Sequence, residues 1–412
     1  MEILPILRSL RRNRVGAVLI GLQITLTLAI VCNCVSIIQQ HLQQMRRPSG
    51  IDEANIFSFW NGWLGDPTDP AARVQGDLAA LRALPGVIDA VATNSFPLHG
   101  GGSSWDLSIK PEKNHRKATS ALYYVDQHAL AAYGLKLTAG RWFRADEVGE
   151  LRTDEDKFPA TIVITQHLAE QLFPAGNALG RLVYFTTKED IQGAQASLIV
   201  GIIQTAQTPF AGSSWGESFL ENSTFVPFQY LDKSGVVYVV RTRAGQQATV
   251  MRIAQDKLYG LRNRRVIQAL RPFSFIRHQA YLGERATSVM LEAVCALLLT
   301  ITAFGVIGLT MYWVNQRRRY IGMRRALGAR RLDILKYFHT ENLLIAGTGC
   351  ALGIALGLWG NAWLAVSLEL TRMSAAFIGG GALMVLGLCQ AAVLWPALRA
   401  ASIPPALATR AM

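Results

Sequence analysis

Four long stretches of this 412-residue chain contain no charged residue: 15–38, 293–314, 342–368 and 373–398. An α-helix rises about 1.5 Å per residue, so each stretch is long enough to cross the roughly 30 Å hydrocarbon core of a bilayer. A long segment of ordinary mixed polarity separates the first stretch from the other three. The pattern predicts a membrane protein with four transmembrane helices in a one-plus-three order and a large domain on one side.

The basic residues indicate which side that domain occupies. Eight basic residues and a single carboxylate, Asp333, lie in 317–336, and four arginines precede the first stretch: Arg8, Arg11, Arg12 and Arg14. Residues 39–288 instead hold 26 Lys and Arg against 23 Asp and Glu. Short basic segments stay in the cytoplasm, whereas a long balanced domain can be translocated. We therefore expect the domain outside, and the net charge of +13 requires no nucleic-acid partner.

The predicted organisation follows from these boundaries. Residues 1–38 form a cytoplasmic N-terminus and the first transmembrane helix, which 39–45 continue as a helical stalk. The remaining segments are an external domain (39–288), the second transmembrane helix (289–314), a cytoplasmic loop (315–341), the third and fourth transmembrane helices (342–368 and 373–398) and a cytoplasmic tail (399–412). The apolar run at 15–38 is longer than the core of a cleaved signal peptide, so we expect an uncleaved anchor.

The external domain alternates helix and strand patterns. Apolar residues at helical spacing in 70–85 precede a strand-like run at 87–92, and the strand-like runs at 161–165 and 236–241 also come before helix patterns. Alternation of this kind is typical of an α+β domain. Two segments rich in small and polar residues, 99–105 and 205–223, are predicted as a turn and a long loop.

We predict two lobes in this α+β domain. The segments 70–92 and 236–261 would form a membrane-near lobe, and residues from about 123 to 227 would form most of a distal lobe. None of the five cysteines lies in the domain, because all five fall in or beside the transmembrane stretches: Cys32, Cys34, Cys295, Cys350 and Cys389. The domain therefore has no disulfides, and the cysteines are expected to be inert thiols in lipid instead of metal ligands.

The sequence offers no catalytic or metal site. The histidines of the external domain are scattered singly, without metal-ligand spacing, and Ser103 and Ser104 do not lie in a nucleophile-elbow motif. No G-x-x-x-x-G-K-[ST] motif occurs, so the chain is not expected to hold ATP in a P-loop. We expect a non-catalytic chain with no cofactor of its own.

The cytoplasmic loop carries the most informative motif. Residues 317–342 read RRRYIGMRRALGARRLDILKYFHTEN, and Gly322 and Gly328 are expected to interrupt what would otherwise be one helix. Composition alone indicates a basic loop with a short interfacial amphipathic helix. The phrase IGMRRALGARRLDI resembles the signature that follows the second membrane helix in FtsX/MacB-type ABC transporter permeases, where a short helix docks on the ATPase subunit. The resemblance assigns ATPase docking to Ile321, Gly322, Arg324, Arg325, Ala326, Leu327, Gly328, Ala329 and Asp333.

The resemblance extends over nearly the whole chain. The order of one helix, a large external domain and three helices is that of the family. Further motifs similar to the family's are GLKLTAGRWF (134–143), IVITQHLAEQLFP (162–174), IVGII (199–203) and WPALRAASIPPAL (395–407). Two positions depart from the family pattern, because Tyr320 and Pro404 stand where acidic residues are usual. We therefore expect contacts with the ATPase that differ from the family's, or pairing with a non-identical permease.

The resemblance also implies partners and a mechanism. A separate cytoplasmic ABC ATPase would bind ATP and Mg, and the membrane helices of this chain would transmit its motion to the periplasmic domain. The chain itself would be a multi-pass protein of the bacterial inner membrane. Such permeases pair with a second copy or a paralogue, and we expect the seam at Leu22, Leu26, Ile30, Leu291, Val294, Leu298 and Ile301. The glycines at 349, 353 and 357 are assigned to helix packing within the subunit in preference to that seam.

Three classes of function remain open from the sequence. The first is a MacB-like permease that exports peptides, toxins or antibiotics with a periplasmic adaptor and an outer-membrane channel. The second is a lipoprotein-releasing permease or an FtsX-like regulator of the cell envelope; the size of 39–288 argues against the FtsX-like version. The third is a membrane-anchored enzyme or sensor, which the missing catalytic residues and the basic loop disfavour.

Overall fold

The computed structural model describes residues 14–402 except 66–68, 112–114, 153–156, 187–194, 212–213, 233–234, 262–263 and 369–374. The arginines at 8, 11 and 12 and most of the predicted tail, with Pro404, lie outside these residues. The chain divides into two compact units. We call Met1–Met45 with Glu284–Met412 the helical unit and Arg46–Gly283 the inserted domain.

Helices and strands alternate through the inserted domain, and long helices make up the helical unit. The helices are α1 (Arg14–Arg46), α2 (Pro70–Arg82), α3 (Ala129–Tyr133), α4 (Gln166–Leu172), α5 (Ser214–Glu217), α6 (Gln247–Tyr259), α7 (Phe273–Ala280), α8 (Leu282–Gln316), α9 (Arg318–Ala326), α10 (Arg331–Leu368) and α11 (Ala375–Ala401). The strands are β1 (Ile56–Trp63), β2 (Val87–Thr93), β3 (Ser103–Ser108), β4 (Lys117–Tyr124), β5 (Leu137–Gly140), β6 (Gly149–Arg152), β7 (Thr161–Thr165), β8 (Leu182–Thr186), β9 (Ala196–Ile203), β10 (Ser223–Val226), β11 (Phe228–Leu231), β12 (Val236–Thr242) and β13 (Arg265–Pro272).

Four helices are long and apolar enough to cross a membrane: α1, α8, α10 and α11. Their order, one before the inserted domain and three after it, confirms the predicted fold class. Each helix extends beyond its uncharged stretch, because polar residues can continue a helix outside the hydrocarbon region. Helix α1 runs to Arg46 and so includes the predicted stalk, and α10 already begins at Arg331.

Small residues bring α10 close to α1 within the helical unit. A Cβ atom added to Gly349 would lie 2.9 Å from the carbonyl oxygen of Gly21, and one added to Gly353 would lie 3.0 Å from that of Thr25. The Thr25 hydroxyl donates to the Gly349 carbonyl at 3.0 Å. The glycine face therefore packs against another helix of the same subunit, as the sequence analysis assigned it.

One sheet of the inserted domain has four antiparallel strands in the order β13-β1-β12-β2. Helices α2 and α6 supply its core with apolar residues at helical spacing: Val74, Leu78 and Leu81 from α2 and Val250, Ala254 and Leu258 from α6. Helix α2 was predicted from that spacing, and a helix was also predicted after the strand at 236–241. Strand β1 was not predicted, although it lies inside the sheet.

The second sheet closes on itself. Hydrogen-bonded neighbours run β9-β7-β10-β4-β3-β8, and β8 pairs again with the start of β9, while β5 pairs with the end of β9. A ring of strands encloses its own apolar core, which includes Leu107, Leu122, Ile162, Val183 and Ile199. The sheet takes its strands from residues 103–226, so it begins earlier in the chain than the distal lobe predicted at about 123. Strand β3 also occupies part of the turn predicted at 99–105.

An ionic cluster joins elements of the two sheets. Arg82 at the end of α2 contacts Asp89 of β2 at 3.0 Å and Asp126, just after β4, at 3.1 Å. His128 lies 3.0 Å from the second Asp89 oxygen. Burial raises the pKa of Asp126 above its usual range, and the neighbouring Arg82 opposes that shift. Each carboxylate faces a basic group, so the cluster satisfies the charges at this junction.

Candidate functional site

Helix α9, in the basic segment between α8 and α10, is the structural centre of the predicted docking site. It ends where Gly328 adopts a φ of +95°, a left-handed conformation that favours glycine. The Ala329 N–H donates to the Arg324 carbonyl at 3.1 Å and the Gly328 N–H to the Arg325 carbonyl at 3.2 Å. This pair of bonds is a Schellman motif, which closes the last turn of a helix and reverses the chain.

One of the two expected helix breaks is wrong. Gly328 ends α9, but Gly322 lies inside α9 and is buried. Gly322 stands beside the buried side chain of Ile321, whose neighbours in the apolar core of the helical unit include Trp313, Phe338 and Ala397. Gly322 therefore lies on the buried side of α9 and does not break the helix.

A buried ion pair fixes the beginning of α9. Arg317, the residue before its first turn, donates from one Nη atom to both carboxylate oxygens of Glu341 on α10, at 3.0 and 2.9 Å. The same atom lies 3.1 Å from the Tyr337 hydroxyl, and the guanidinium lies over the Trp313 ring. Only 1% of the Glu341 side chain is exposed. Removing one partner of such a pair leaves an uncompensated buried charge.

Glu341 was not predicted as a site residue. Within 317–336 the only carboxylate is Asp333, and Glu341 directly precedes the uncharged stretch at 342–368. A lone carboxylate at the edge of a transmembrane stretch was the available signal, since charges at such depth are paired. Asp333 has a different role. Its side chain accepts a hydrogen bond from the Arg330 N–H at 2.9 Å and so caps the start of α10.

A second anchor holds the end of α9. The Arg325 guanidinium donates to the carbonyl oxygen of Ala401, the last residue of α11, at 3.0 Å. Carbonyl groups at a helix C-terminus lack intrahelical donors and attract cations. Residues 317–325 thus contact three of the membrane-crossing helices, through Trp313, Glu341 and Ala401.

The opposite face of α9 is exposed and combines basic with apolar side chains. Its large apolar members are Tyr320, Met323 and Leu327, the last with 83% of its area exposed, and Leu332 continues the surface. Exposed arginines surround them: Arg318, Arg319, Arg324, Arg330 and Arg331. The Arg324 guanidinium lies 4.9 Å from the centroid of the Tyr320 ring and makes a cation–π contact with it. Tyr320 stands where the family pattern has an acidic residue. We call this surface the docking face.

The residues predicted for docking therefore divide by environment. Ile321 and Gly322 are buried, Arg325 and Ala329 are half-buried, and the other five are exposed: Arg324, Ala326, Leu327, Gly328 and Asp333. The buried members hold α9 on the helical unit, and the exposed members lie on or beside the docking face. In the described residues no group of three or more His, Cys, Asp or Glu is placed to hold a metal ion.

The predicted seam residues lie mainly on exposed positions. Leu22, Leu26 and Ile30 follow one another at every fourth residue of α1 and are all exposed. On α8, Val294 and Ile301 are exposed, whereas Leu291 and Leu298 are half-buried. Leu291 packs against a small buried cluster of Val31, Cys34 and Cys295. The seam stays a prediction, and Leu291 also contributes to packing within the subunit.

Known protein families match two successive parts of the chain. Residues 19–256 match the MacB-like periplasmic core domain, and residues 293–405 match the FtsX-like permease C-terminal family. The Macrolide export ATP-binding/permease protein MacB of Chromobacterium violaceum is 23% identical over 355 residues, which cover 84% of this chain and 50% of that protein. The Pyoverdine export ATP-binding/permease protein PvdT of Pseudomonas aeruginosa is 24% identical over 424 residues, covering 97% of this chain and 56% of that protein.

The chain spans about half the length of these curated relatives. Among solved structures, the periplasmic region of MacB from Actinobacillus actinomycetemcomitans aligns with 57% of this chain and 97% of its own length, at 16% identity and a TM-score of 0.32. That score is too low to support an argument, and the assignment rests on the family matches. Because one match covers more than half of the sequence and the other covers the C-terminal helices, the chain belongs to the family of FtsX-like permeases that carry a MacB-like periplasmic core domain.

Proposed function

We propose that this chain is the permease subunit of a MacB-like ABC exporter and that α9 receives the motion of a cytoplasmic ATPase. The observation that carries the proposal is the two-sided construction of α9. One side is fixed to the helical unit through Ile321, Arg317–Glu341 and Arg325–Ala401, and the other side is the docking face. A helix built in this way can pass a displacement from a bound partner to the membrane helices.

The docking face favours a protein partner with an apolar groove and an acidic rim. Arginines around exposed aromatic and aliphatic side chains are common at the centres of protein interfaces. Under this proposal the ATPase binds ATP and Mg, the chain itself needs no cofactor, and the basic segment 315–341 lies in the cytoplasm of a cell with an inner membrane. The inserted domain would then lie in the periplasm, in agreement with its charge balance.

The names of the relatives favour export over the other functions considered. MacB proteins are named for macrolide export and PvdT for pyoverdine export. We propose that this chain also takes part in export, with peptides, toxins or antibiotics as the substrates. It would do so together with a second permease subunit, either a copy or a paralogue, joined to it at the predicted seam. A periplasmic adaptor and an outer-membrane channel would complete the pathway.

The docking role is tested with two variants of α9. Gly328→Leu forces a branched side chain into a left-handed conformation, and Arg325→Glu places a carboxylate against the Ala401 carbonyl. We expect both variants to insert in the membrane and to lose stimulation of the ATPase subunit that co-purifies with the chain. The measurement is the ATP hydrolysis rate of the purified complex in nanodiscs.

Matched controls separate this role from general damage. Gly176→Leu makes the same change at a left-handed glycine of the inserted domain, with φ of +79° and open space around it, and Arg243→Glu reverses an exposed charge there. Both should leave stimulation unchanged. If the two α9 variants stimulate the ATPase as well as the unmodified chain does, α9 is not the docking element.

A further inference from the structure

A cavity of about 340 Å³ opens in the inserted domain between the four-stranded sheet, helix α7 and the turn at 96–100. That volume is in the range of small-molecule sites, which are lined mainly by apolar and aromatic groups with a few polar ones. Its walls include Trp60, Phe96 and Ile276, and its polar side chains include Arg271 and Gln279. The cavity belongs entirely to the inserted domain and takes no part in the site around α9.

One wall of the cavity is made by a strained turn. Leu98 has a φ of +66° and follows Pro97, and the His99 N–H donates to the Phe96 carbonyl at 3.2 Å. This is the arrangement of a type II turn, in which glycine is usual at the Leu98 position. A leucine there carries backbone strain that a glycine would not. The Leu98 side chain is nevertheless buried in the cavity wall.

The same cavity has a second strained residue, on an independent element. Ala269 of β13 has a φ of +52°, and the pairing of β13 with β1 shifts between Ser58–Arg271 and Trp60–Gln268. Ala269 thus lies in a β-bulge, a feature that redirects side chains and often borders functional sites. Two of the non-glycine residues with positive φ in the described part of the chain line this one cavity. Strain of this kind clusters at ligand sites.

The bulge places a cation at the cavity without an acidic partner. Among the described residues, no hydrogen bond or ion pair is formed by the Arg271 guanidinium, which lies 4.7 Å from the centroid of the Phe275 ring. No Asp or Glu is present among the described residues that line the cavity. The stacked ring restricts the guanidinium to a defined orientation, which lowers the entropic cost of binding an anion. A guanidinium with unused donors matches a carboxylate in shape and charge.

We infer that this cavity binds a carboxylate carried on an apolar group. Arg271 would bind the carboxylate, and Trp60, Phe96, Leu98 and Ile276 would enclose the apolar part. A fatty acid and the carboxyl terminus of an apolar peptide share this chemistry. The inference does not rest on the proposed role of α9, so either can fail without the other.

Equilibrium dialysis of the full chain in nanodiscs tests the inference, with empty nanodiscs subtracted. The probes are octanoate and N-acetyl-leucyl-phenylalanine, each compared with its uncharged counterpart, octan-1-ol or the peptide amide. We expect saturable binding of at least one carboxylate, with one site per chain, and binding of its uncharged counterpart weaker by about tenfold. Tighter binding of octanoate would identify a fatty-acid site, and tighter binding of the peptide would identify a peptide site.

Variants then place the probe in the cavity. Arg271→Gln should weaken binding about tenfold, Arg271→Lys should weaken it less, and Ala280→Trp should fill the cavity and abolish binding. Arg252→Gln, at an exposed arginine of α6, should leave binding unchanged. Thermal unfolding of each variant tests whether the fold is retained. Arg271 is exposed, so we expect its replacement to be tolerated. The inference is overturned if neither carboxylate binds saturably, if the uncharged counterparts bind equally well, or if Arg271→Gln binds as the unmodified chain does.

Discussion

At the scale of single residues, the most consequential contact is a buried ion pair in the core of the four-stranded sheet. Arg265 binds both oxygens of Asp77 at 2.8 and 2.9 Å, and neither side chain is more than 1% exposed. Asp77 also accepts from the Tyr238 hydroxyl at 2.9 Å, and Arg265 donates to Asn61 at 3.2 Å. The pair is thus part of a network in which both oxygens of the Asp77 carboxylate accept hydrogen bonds.

Asp77→Ala should destabilise the inserted domain by about 3–5 kcal/mol, because it leaves the Arg265 charge buried and unpaired. Asp256→Ala, at an exposed position of α6, is the control and should cost less than about 0.5 kcal/mol. Denaturant unfolding of the full chain in nanodiscs, followed by tryptophan fluorescence, measures both. An Asp77→Ala chain as stable as the control would contradict this account.

The periodicity of 70–85 predicted α2 and its buried face, and Asp77 lies on that face between Val74 and Leu78. The sequence could therefore have marked Asp77 as a buried carboxylate. It could not identify the partner, because Arg265 is 188 residues away and reaches Asp77 only through the pairing of β13 with β1. Ion pairs between distant elements follow from sheet topology, which periodicity does not specify.

A second contact explains part of the GRWF motif. Arg141 binds both oxygens of Glu147 at 2.6 Å, and the Arg144 N–H donates to Glu147 at 2.9 Å. The hydrogen bonds from Arg141 lower the pKa of Glu147 to about 2. A carboxylate with a lowered pKa stabilises the fold above the pKa of the unfolded chain, about 4.3, and loses that effect as the pH falls toward 2.

Glu147→Gln should therefore lower stability at pH 7 by up to about 1 kcal/mol, since the pair is partly exposed and screened by solvent. The difference from the unmodified chain should fall to about half by pH 3, because the amide does not titrate. Asp146→Asn, beside Glu147 and exposed, serves as the control. Denaturant midpoints at pH 7, 4 and 3 measure the effect. A difference that stays constant with pH would show that the carboxylate charge is not responsible.

At the scale of elements, the position of α9 depends more on its contacts with the other helices than on its own helix propensity. Its basic composition predicted a short interfacial helix, and Gly328 predicted its end. The attachment through Glu341 was not predicted, because composition does not reveal which carboxylate is buried.

Strands β1 and β3 were missed for a related reason. Asn61 and Gly62 in β1 and the serines of β3 weaken the apolar alternation, yet both strands are held by neighbours on each side.

The Arg317–Glu341 pair gives the element-scale prediction. In the complex that co-purifies with the chain, Glu341→Ala should abolish stimulation of the ATPase subunit. Arg317→Ala should have the same effect. The exchanged pair, Arg317→Glu with Glu341→Arg, should restore part of the stimulation, because opposite charges again face each other between α9 and α10. Two single variants that act additively, without recovery in the exchanged pair, would show that the contact itself has no role in coupling.

At the scale of the whole molecule, charge and hydropathy predicted the order of the membrane helices and the position of the inserted domain. The family matches have the same order, with the MacB-like periplasmic core domain at 19–256 before the FtsX-like permease C-terminal family at 293–405. The sequence did not predict that one sheet of the domain closes into a ring, because closure depends on β8 pairing with β9 across an intervening segment. The exposed leucines of α1 remain candidates for contact with a second permease subunit.

If α9 receives the motion of the ATPase, we expect that motion to reach the inserted domain. Spin labels at Lys257→Cys, an exposed position on α6, would report the distance between the domains of two subunits once the five native cysteines are replaced. The distance should be measured by pulsed electron paramagnetic resonance on the complex with its ATPase, without nucleotide and with ATP and vanadate. We predict that the distance changes with nucleotide in the unmodified complex and stays fixed in Gly328→Leu and Glu341→Ala. An equal change in all three complexes would contradict the claim.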